Sequence, residues 1–180
     1  SLRAALRVAR ELRATCDAPL LLFSYYNPIL TYGDVALISA ARDAGVDGLL
    51  VLDLPPEEAD TYEQLMRSAG LCAIWLVAPT TPDERIATIV KRGTGFIYYI
   101  SREGVTGMQA KVAGNLADRV ALIRKHTTLP IAIGFGISNP EQARQVAFAA
   151  DGAVVGSAVV NQIAQLGKSS DLVPKLEAFV

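Results

Sequence analysis

The chain has 180 residues, of which 51% are hydrophobic, and its 17 basic and 18 acidic side chains leave a formal net charge of −1. This balance argues against a nucleic-acid-binding module, which needs excess Lys and Arg to neutralise phosphates. Cys16 and Cys72 are too few and too far apart for a disulfide framework or a zinc cluster, so we expect no metal. We find neither a signal peptide nor a membrane-spanning apolar run, and expect a cytoplasmic protein, or a plastid one in a plant.

The elements predicted along the chain are a helix followed by short apolar strands. The helix covers about residues 2–13, with apolar side chains recurring every three or four positions. Apolar runs follow at 19–24, 48–53, 71–77, 95–100, 129–135 and 152–156. These runs do not alternate strictly between apolar and polar residues, which is typical of parallel strands covered on both faces.

Helical patterns separate the apolar runs. The stripe Val35, Leu37, Ile38 and Ala41 marks one helix, and "SNPE" at 138–141 predicts another that Ser138 would cap. The runs lie about one strand-helix unit apart, so the chain predicts an α/β fold of about six such units in a single domain spanning 1–180. Such a chain closes as an eight-stranded barrel or opens as a doubly wound sheet, and six strands fit the open sheet better by count.

The last two predicted strands end in glycine turns. "GFGIS" (134–138) follows the penultimate strand, and "GSA" (156–158) follows the last, where we expect Ser157 to cap a short helix. Glycine exposes backbone amides, and a helix N-terminus favours an anion. Taken singly, each turn is better explained as an ordinary strand-to-helix connection, but together they favour a phosphate site.

Aromatic side chains and one carboxylate lie near the same strand ends. Tyr25, Tyr98 and Phe135 could wall an apolar pocket for a flat ring, or could pack in the core. Tyr98 is ambiguous because Tyr99 beside it points to the opposite face of the strand. Asp53 ends a buried strand, where a functional role and a loop-bracing role are both open.

Several longer motifs carry a resemblance to a known family: "YYNPILTYG" (25–33), "AGVDGLLVLDLPPEEA" (44–59), "YYISREGVTG" (98–107), "GFGISNPEQ" (134–142) and "DGAVVGSAVV" (151–160). In this order and spacing the chain resembles the alpha subunit of tryptophan synthase along essentially its whole length. The resemblance implies a (β/α)8 TIM barrel and a lyase of tryptophan biosynthesis, which cleaves indole-3-glycerol phosphate into indole and glyceraldehyde 3-phosphate. It implies no cofactor in this subunit, and a pyridoxal-phosphate beta subunit as partner in an assembly of two alpha and two beta chains.

The same resemblance assigns roles to individual residues. It implies that Tyr98 lies beside the indole, with Phe135 over the ring and Tyr25 at the wall. Arg102 would belong to a mobile loop that closes over the substrate, and Asp53 would lie near the catalytic centre without being its principal acid. The phosphate would be held by the amides of Gly107, Gly136, Gly156 and Ser157. Contacts with the beta subunit would be made around Asn27 and Pro28.

The sequence also departs from the family pattern. Its first apolar run corresponds to strand three, so strands one and two are expected to be absent. The family's principal catalytic Glu and the Asp that binds the indole N–H would both precede Ser1, and we therefore expect no cleavage by this chain alone. Two alternatives remain: another phosphate-binding barrel enzyme, such as a phosphosugar isomerase or indole-glycerol-phosphate synthase, and a non-catalytic module that binds the beta subunit.

Overall fold

The computed structural model describes residues 1–101, 109–134 and 136–179. Its strands are β1 (Leu21–Ser24), β2 (Gly48–Val51), β3 (Cys72–Val77), β4 (Ile97–Ile100), β5 (Ile131–Gly134) and β6 (Gly152–Val154). Each lies inside one of the predicted apolar runs, so those predictions are confirmed. Within these ranges no helix has the length and apolar character needed to cross a membrane.

Helices follow the strands in the predicted alternation. They are α1 (Leu2–Arg13), α2 (Tyr26–Tyr32), α3 (Asp34–Asp43), α4 (Asp60–Ala69), α5 (Asp83–Arg92), α6 (Gln109–Arg124), α7 (Pro140–Ala149), α8 (Ser157–Leu166) and α9 (Leu172–Phe179), with a 3-10 turn at Pro56–Glu58. Helix α4 ends at Gly70, whose left-handed backbone (φ 71°) terminates it without strain.

The order of the strands decides the architecture. All described strand pairs are parallel, and the sheet runs β1-β2-β3-β4-β5-β6 in chain order. Parallel strands are joined almost always by right-handed crossovers, so pairing in chain order places the crossover helices on one face, as in a barrel, whereas a doubly wound sheet reverses its order. The preference for an open sheet that came from counting strands is therefore wrong, because strand order and not strand number separates the two folds.

The two faces of the sheet have different partners. Side chains on one face, including Leu49, Trp75, Tyr99 and Ile133, join the helices in the main hydrophobic core. Because strand residues alternate, Phe23 and Tyr98 lie on the other, concave face. The Trp75 side chain is buried on the helix-covered face.

Two local predictions about helices need correction. Val35 is 67% exposed, whereas Leu37, Ile38 and Ala41 are buried. Val35 lies two residues before Leu37, which is about 200° around the helix, so it cannot share the face that Leu37 buries.

The cap of α7 lies one residue later than predicted. Asn139 is the N-cap, and its side chain accepts a hydrogen bond of 2.9 Å from the amide of Gln142. This register puts Pro140 at the first helical position, where its missing N–H is harmless. Ser138 instead donates its amide to the Gln142 side-chain oxygen, at 2.8 Å.

Near the amino-terminal ends of β2 and β6, an aspartate makes the same two contacts, one with a backbone amide and one with an arginine. Asp47, just before β2, accepts the amide of Leu20 at 2.7 Å and pairs with Arg13. Asp151, just before β6, likewise accepts the amide of Ile131 at 2.8 Å and pairs with Arg124 at 2.8 Å. Each carboxylate thus joins its own strand to the neighbouring strand and to a preceding helix.

The Asp151 contact generates a pH-dependent prediction. The Ile131 amide and then Arg124 lower the pKa of Asp151 below its ordinary value of 3.8. A folded-state pKa below the unfolded one stabilises the fold above the unfolded pKa, and this stabilisation disappears as the pH falls through the folded pKa. We expect Asp151→Asn to lower the free energy of unfolding at pH 7 by about 0.5–1 kcal/mol, and by less near pH 2.

Urea denaturation at the two pH values measures this difference. Asp171→Asn is the matched control, because the Asp171 carboxylate, just before α9, pairs with Lys175 alone among the residues that the structure describes, at 3.6 Å. An Asp151→Asn effect of equal size at both pH values would contradict the prediction.

Candidate functional site

The predicted site residues that the structure describes converge on the carboxyl edge of the sheet. Because parallel strands end at the same edge, residues that follow different strands are brought onto one surface. On this edge lie Tyr25 after β1, Asp53 after β2, Tyr98 in β4, Gly136 after β5, and Gly156 and Ser157 after β6. Phe135, Arg102 and Gly107 lie outside the described residues.

Tyr98 forms an aromatic surface on the concave face. Its phenol lies across β5, so that a Cβ added to Gly134 would fall 2.0 Å from the Tyr98 hydroxyl oxygen. Gly134 is therefore required for the ring to occupy this position. Partial burial raises the pKa of the Tyr98 phenol, which keeps it protonated at neutral pH.

Phe23 extends this surface and was missed from the sequence. Its ring centroid lies 6.2 Å from that of Tyr98, with the rings tilted by 52°, and 61% of the side chain is exposed. The apolar run at 19–24 predicts a buried strand and gives Phe23 no separate role. Strand side chains alternate between the two faces of a sheet, so the sequence itself puts Phe23 on the same side of the chain as Tyr25 and could have identified it.

The turns after β5 and β6 are in matching register. Gly134 pairs with Val154, and Gly136 and Gly156 each lie two residues beyond that pair. Gly136 has a positive φ of 73°, which favours glycine. The N-cap of α8 is Gly156, not Ser157, so the predicted cap is wrong, and α8 begins without a side-chain cap hydrogen bond. The first amides of a helix lack intrahelical acceptors, and such a start suits an anion.

Asp53 is tied to the chain that follows β1. Its Oδ1 accepts a hydrogen bond of 2.6 Å from the amide of Tyr26, the first residue of α2. Asp53 also lines a cavity of about 270 Å³ with Trp75 and Arg85. The bracing role that the sequence left open is thus observed, and it leaves the second carboxylate oxygen for other contacts.

The remaining predicted contacts lie on α2. Asn27 and Pro28 are exposed, and the Asn27 carbonyl accepts a hydrogen bond from the Thr31 hydroxyl at 2.8 Å. Among the residues that the structure describes, no group of three or more His, Cys, Asp or Glu side chains is arranged to hold a metal ion.

This arrangement agrees with comparisons to known proteins. A sequence profile of the family described as "Tryptophan synthase alpha chain" matches residues 1–179. The tryptophan synthase alpha chain of Opitutus terrae is 53% identical over 173 residues, which are 96% of this chain and 65% of that relative. The chain belongs to the tryptophan synthase alpha chain family. It spans about two thirds of the length of the curated relatives it matches, as the 66% coverage of the Geotalea daltonii alpha chain, 45% identical over 97% of this chain, also shows.

Solved structures of the family share the fold. The tryptophan synthase a2b2 complex of Pyrococcus furiosus matches with a TM-score of 0.89 and 34% identity, over 99% of this chain and 72% of that chain. The alpha chain of Legionella pneumophila matches with a TM-score of 0.87 and 36% identity, over 99% of this chain and 66% of that chain. The sheet is therefore six consecutive strands of the family's (β/α)8 barrel, as the resemblance implied.

The contact between Tyr98 and Gly134 leads to a prediction. Gly134→Ala should displace the Tyr98 ring and lower the free energy of unfolding by about 1–3 kcal/mol, because the added methyl group overlaps the phenol. Gly152→Ala in β6 is the control, since its Cβ would come no closer than 3.5 Å to a neighbour. Denaturation curves would measure both variants. Equal effects would contradict the assigned position of the Tyr98 ring.

Proposed function

We propose that this chain is part of a tryptophan synthase alpha chain and binds indole-3-glycerol phosphate, for cleavage into indole and glyceraldehyde 3-phosphate. The observation that carries the proposal is the Tyr98 ring over Gly134, in the strand next to the one that leads into α8. An aromatic wall beside an uncapped helix start suits a flat apolar ring joined by a short chain to a phosphate. The family match supports this substrate over those of other phosphate-binding barrels.

The phosphate is assigned to backbone amides. Gly136, Gly156 and Ser157 would supply them from the two last turns, and the family resemblance adds Gly107, which lies outside the described residues. A dianion at the N-terminus of the ten-residue helix α8 is stabilised by the helix dipole without a lysine.

The indole is assigned to the aromatic surface. Tyr98 and Phe23 form its described part, with Tyr25 at the wall and 58% exposed. Phe135 and Arg102 would complete the pocket, as the family resemblance implies.

The chemistry that this substrate requires is acid–base chemistry. The bond between indole C3 and the first glycerol carbon breaks, an acid protonates C3, and a base removes the proton of the hydroxyl on that carbon, which becomes the aldehyde carbon. The cleavage is redox-neutral, and the family resemblance implies no cofactor in this subunit. Asp53 is assigned an auxiliary role, because by the family resemblance the principal Glu and Asp have no counterpart among the residues of this chain.

We also propose that the chain binds a tryptophan synthase beta chain, in an assembly of two alpha and two beta chains. The related Pyrococcus furiosus protein forms an a2b2 complex. Asn27 and Pro28 are the proposed contacts because they are exposed on the same edge as the substrate site. Pyridoxal phosphate would belong to the beta chain, which would use the indole, and the location would be cytoplasmic.

Charge placed at the phosphate site tests the substrate assignment. Ser157→Asp puts a carboxylate at the start of α8 and should weaken binding of indole-3-propanol phosphate, an analogue that cannot be cleaved, by at least about tenfold. Asn161→Asp adds the same charge one turn further along the exposed side of α8 and serves as the control. Calorimetry measures both, and an affinity for Ser157→Asp within twofold of the wild type would refute the site.

Indole release tests the catalytic part of the proposal. We expect the 180-residue chain to bind the analogue without cleaving indole-3-glycerol phosphate measurably. Loss of a positioned acid or base removes about 10²–10⁴ in rate for each role. Release at the rate of an intact alpha chain would show that Asp53 or another described carboxylate performs the chemistry.

A further inference from the structure

Helix α2 carries the proposed partner contacts, but its own sequence does little to fix its position. It has only seven residues, and it starts without a side-chain cap. Ile29 is its one buried residue among those described, and this side chain is fully enclosed. Tyr26 and Tyr32 pack against the same core but are only partly buried, so Ile29 is the one fully enclosed anchor of this two-turn helix among the described residues.

Two hydrogen bonds donated by Tyr26 add to this apolar contact in fixing α2. The Tyr26 amide donates to Asp53 Oδ1 at 2.6 Å, and its phenol donates to Asp34 Oδ2 at 2.8 Å. Asp53 follows β2, whereas Asp34 is the first residue of α3. One residue is therefore held by two different elements, at its backbone and at the far end of its side chain.

The Tyr26 phenol donates a hydrogen bond to the Asp34 carboxylate in a partly buried position. The hydrogen bond to Asp34, followed by burial, raises the pKa of the Tyr26 phenol, so the phenol stays protonated and donates. Asp34 Oδ1 is buried without a hydrogen-bond partner within the described residues, which leaves Tyr26 as the described donor to this carboxylate. Loss of the phenol hydroxyl would remove this donor from Oδ2, so that neither carboxylate oxygen would keep the Tyr26 contact.

We propose that Tyr26 is a positioning residue that holds Tyr25, Asn27 and Pro28 in place for ligand and partner binding. This inference rests on the proposed function. The hydrogen bond from the Tyr26 amide to Asp53 sets where α2 begins. The hydrogen bond from the Tyr26 phenol to Asp34 sets the rotation of α2 about Ile29. Tyr25 precedes Tyr26 directly and Asn27 follows it, so a change in this residue moves both the pocket wall and the proposed partner surface.

Removal of one hydroxyl tests the proposal. Tyr26→Phe keeps the ring and deletes the bond to Asp34, and we expect amide hydrogen exchange in α2 to become about tenfold faster, with β2–β4 unchanged. We also expect its affinity for indole-3-propanol phosphate and for a tryptophan synthase beta chain to fall at least about fivefold. Tyr32→Phe, on the same helix and with its ring 4.9 Å from the Arg3 guanidinium, is the control and should match the wild type.

A pair of substitutions at Asp53 tests the backbone contact and covers the case in which Tyr26→Phe fails to fold. Asp53→Asn keeps an oxygen that accepts from the Tyr26 amide, so exchange in α2 should stay slow. Asp53→Leu removes the acceptor, and exchange in α2 should increase as in Tyr26→Phe. Slow exchange in Asp53→Asn together with fast exchange in Asp53→Leu would show that Asp53 acts as a hydrogen-bond acceptor and not through its charge.

The outcomes are distinct. Unchanged exchange in α2 for both Tyr26→Phe and Asp53→Leu overturns the proposal, as does a Tyr26→Phe variant that is less stable but binds both probes like the wild type. If the wild-type chain binds neither probe, the proposed function is wrong. Faster exchange confined to α2 would in that case still establish that Tyr26 positions the segment.

Discussion

The parallel pairing of the strands in chain order is the constraint on which the rest of the structure depends. It places every described crossover helix on one face and every strand end on one edge. The helices bury Tyr99, while Tyr98, one residue earlier, is left on the concave face with Phe23. Two adjacent tyrosines thereby acquire different roles, one in the core and one in the candidate site.

The two edges of the sheet use carboxylates differently. At the amino edge, Asp47 and Asp151 each join a strand start to a neighbouring amide and an arginine, which stabilises the sheet. At the carboxyl edge, Asp53 binds an amide of α2, and so connects strand β2 to the segment proposed to meet ligand and partner. In barrels of this kind, the carboxyl edge carries function and the opposite edge carries stability.

Glycines in the candidate site are present for different physical reasons. Gly134 makes room for the Tyr98 phenol, and Gly136 adopts a positive φ of 73°. Gly156 has open space where a Cβ would lie and has no positive φ, so neither crowding nor backbone strain requires glycine there. The backbone amide at the start of α8 is the feature that the proposed phosphate binding would use.

The sequence by itself determined the six strands, the helix at 2–13 and the family, because these depend on local periodicity and on motifs read along the chain. Only the tertiary structure decided strand order, the face of Tyr98 and the partner of Asp53, which lies 27 residues away at Tyr26. These features depend on which distant segments pack together, and local patterns carry no such information. The cap of α7 shows the same limit on a shorter scale: Ser138 and Asn139 both fit a cap by residue type, and the position of Pro140 within the folded helix selected Asn139.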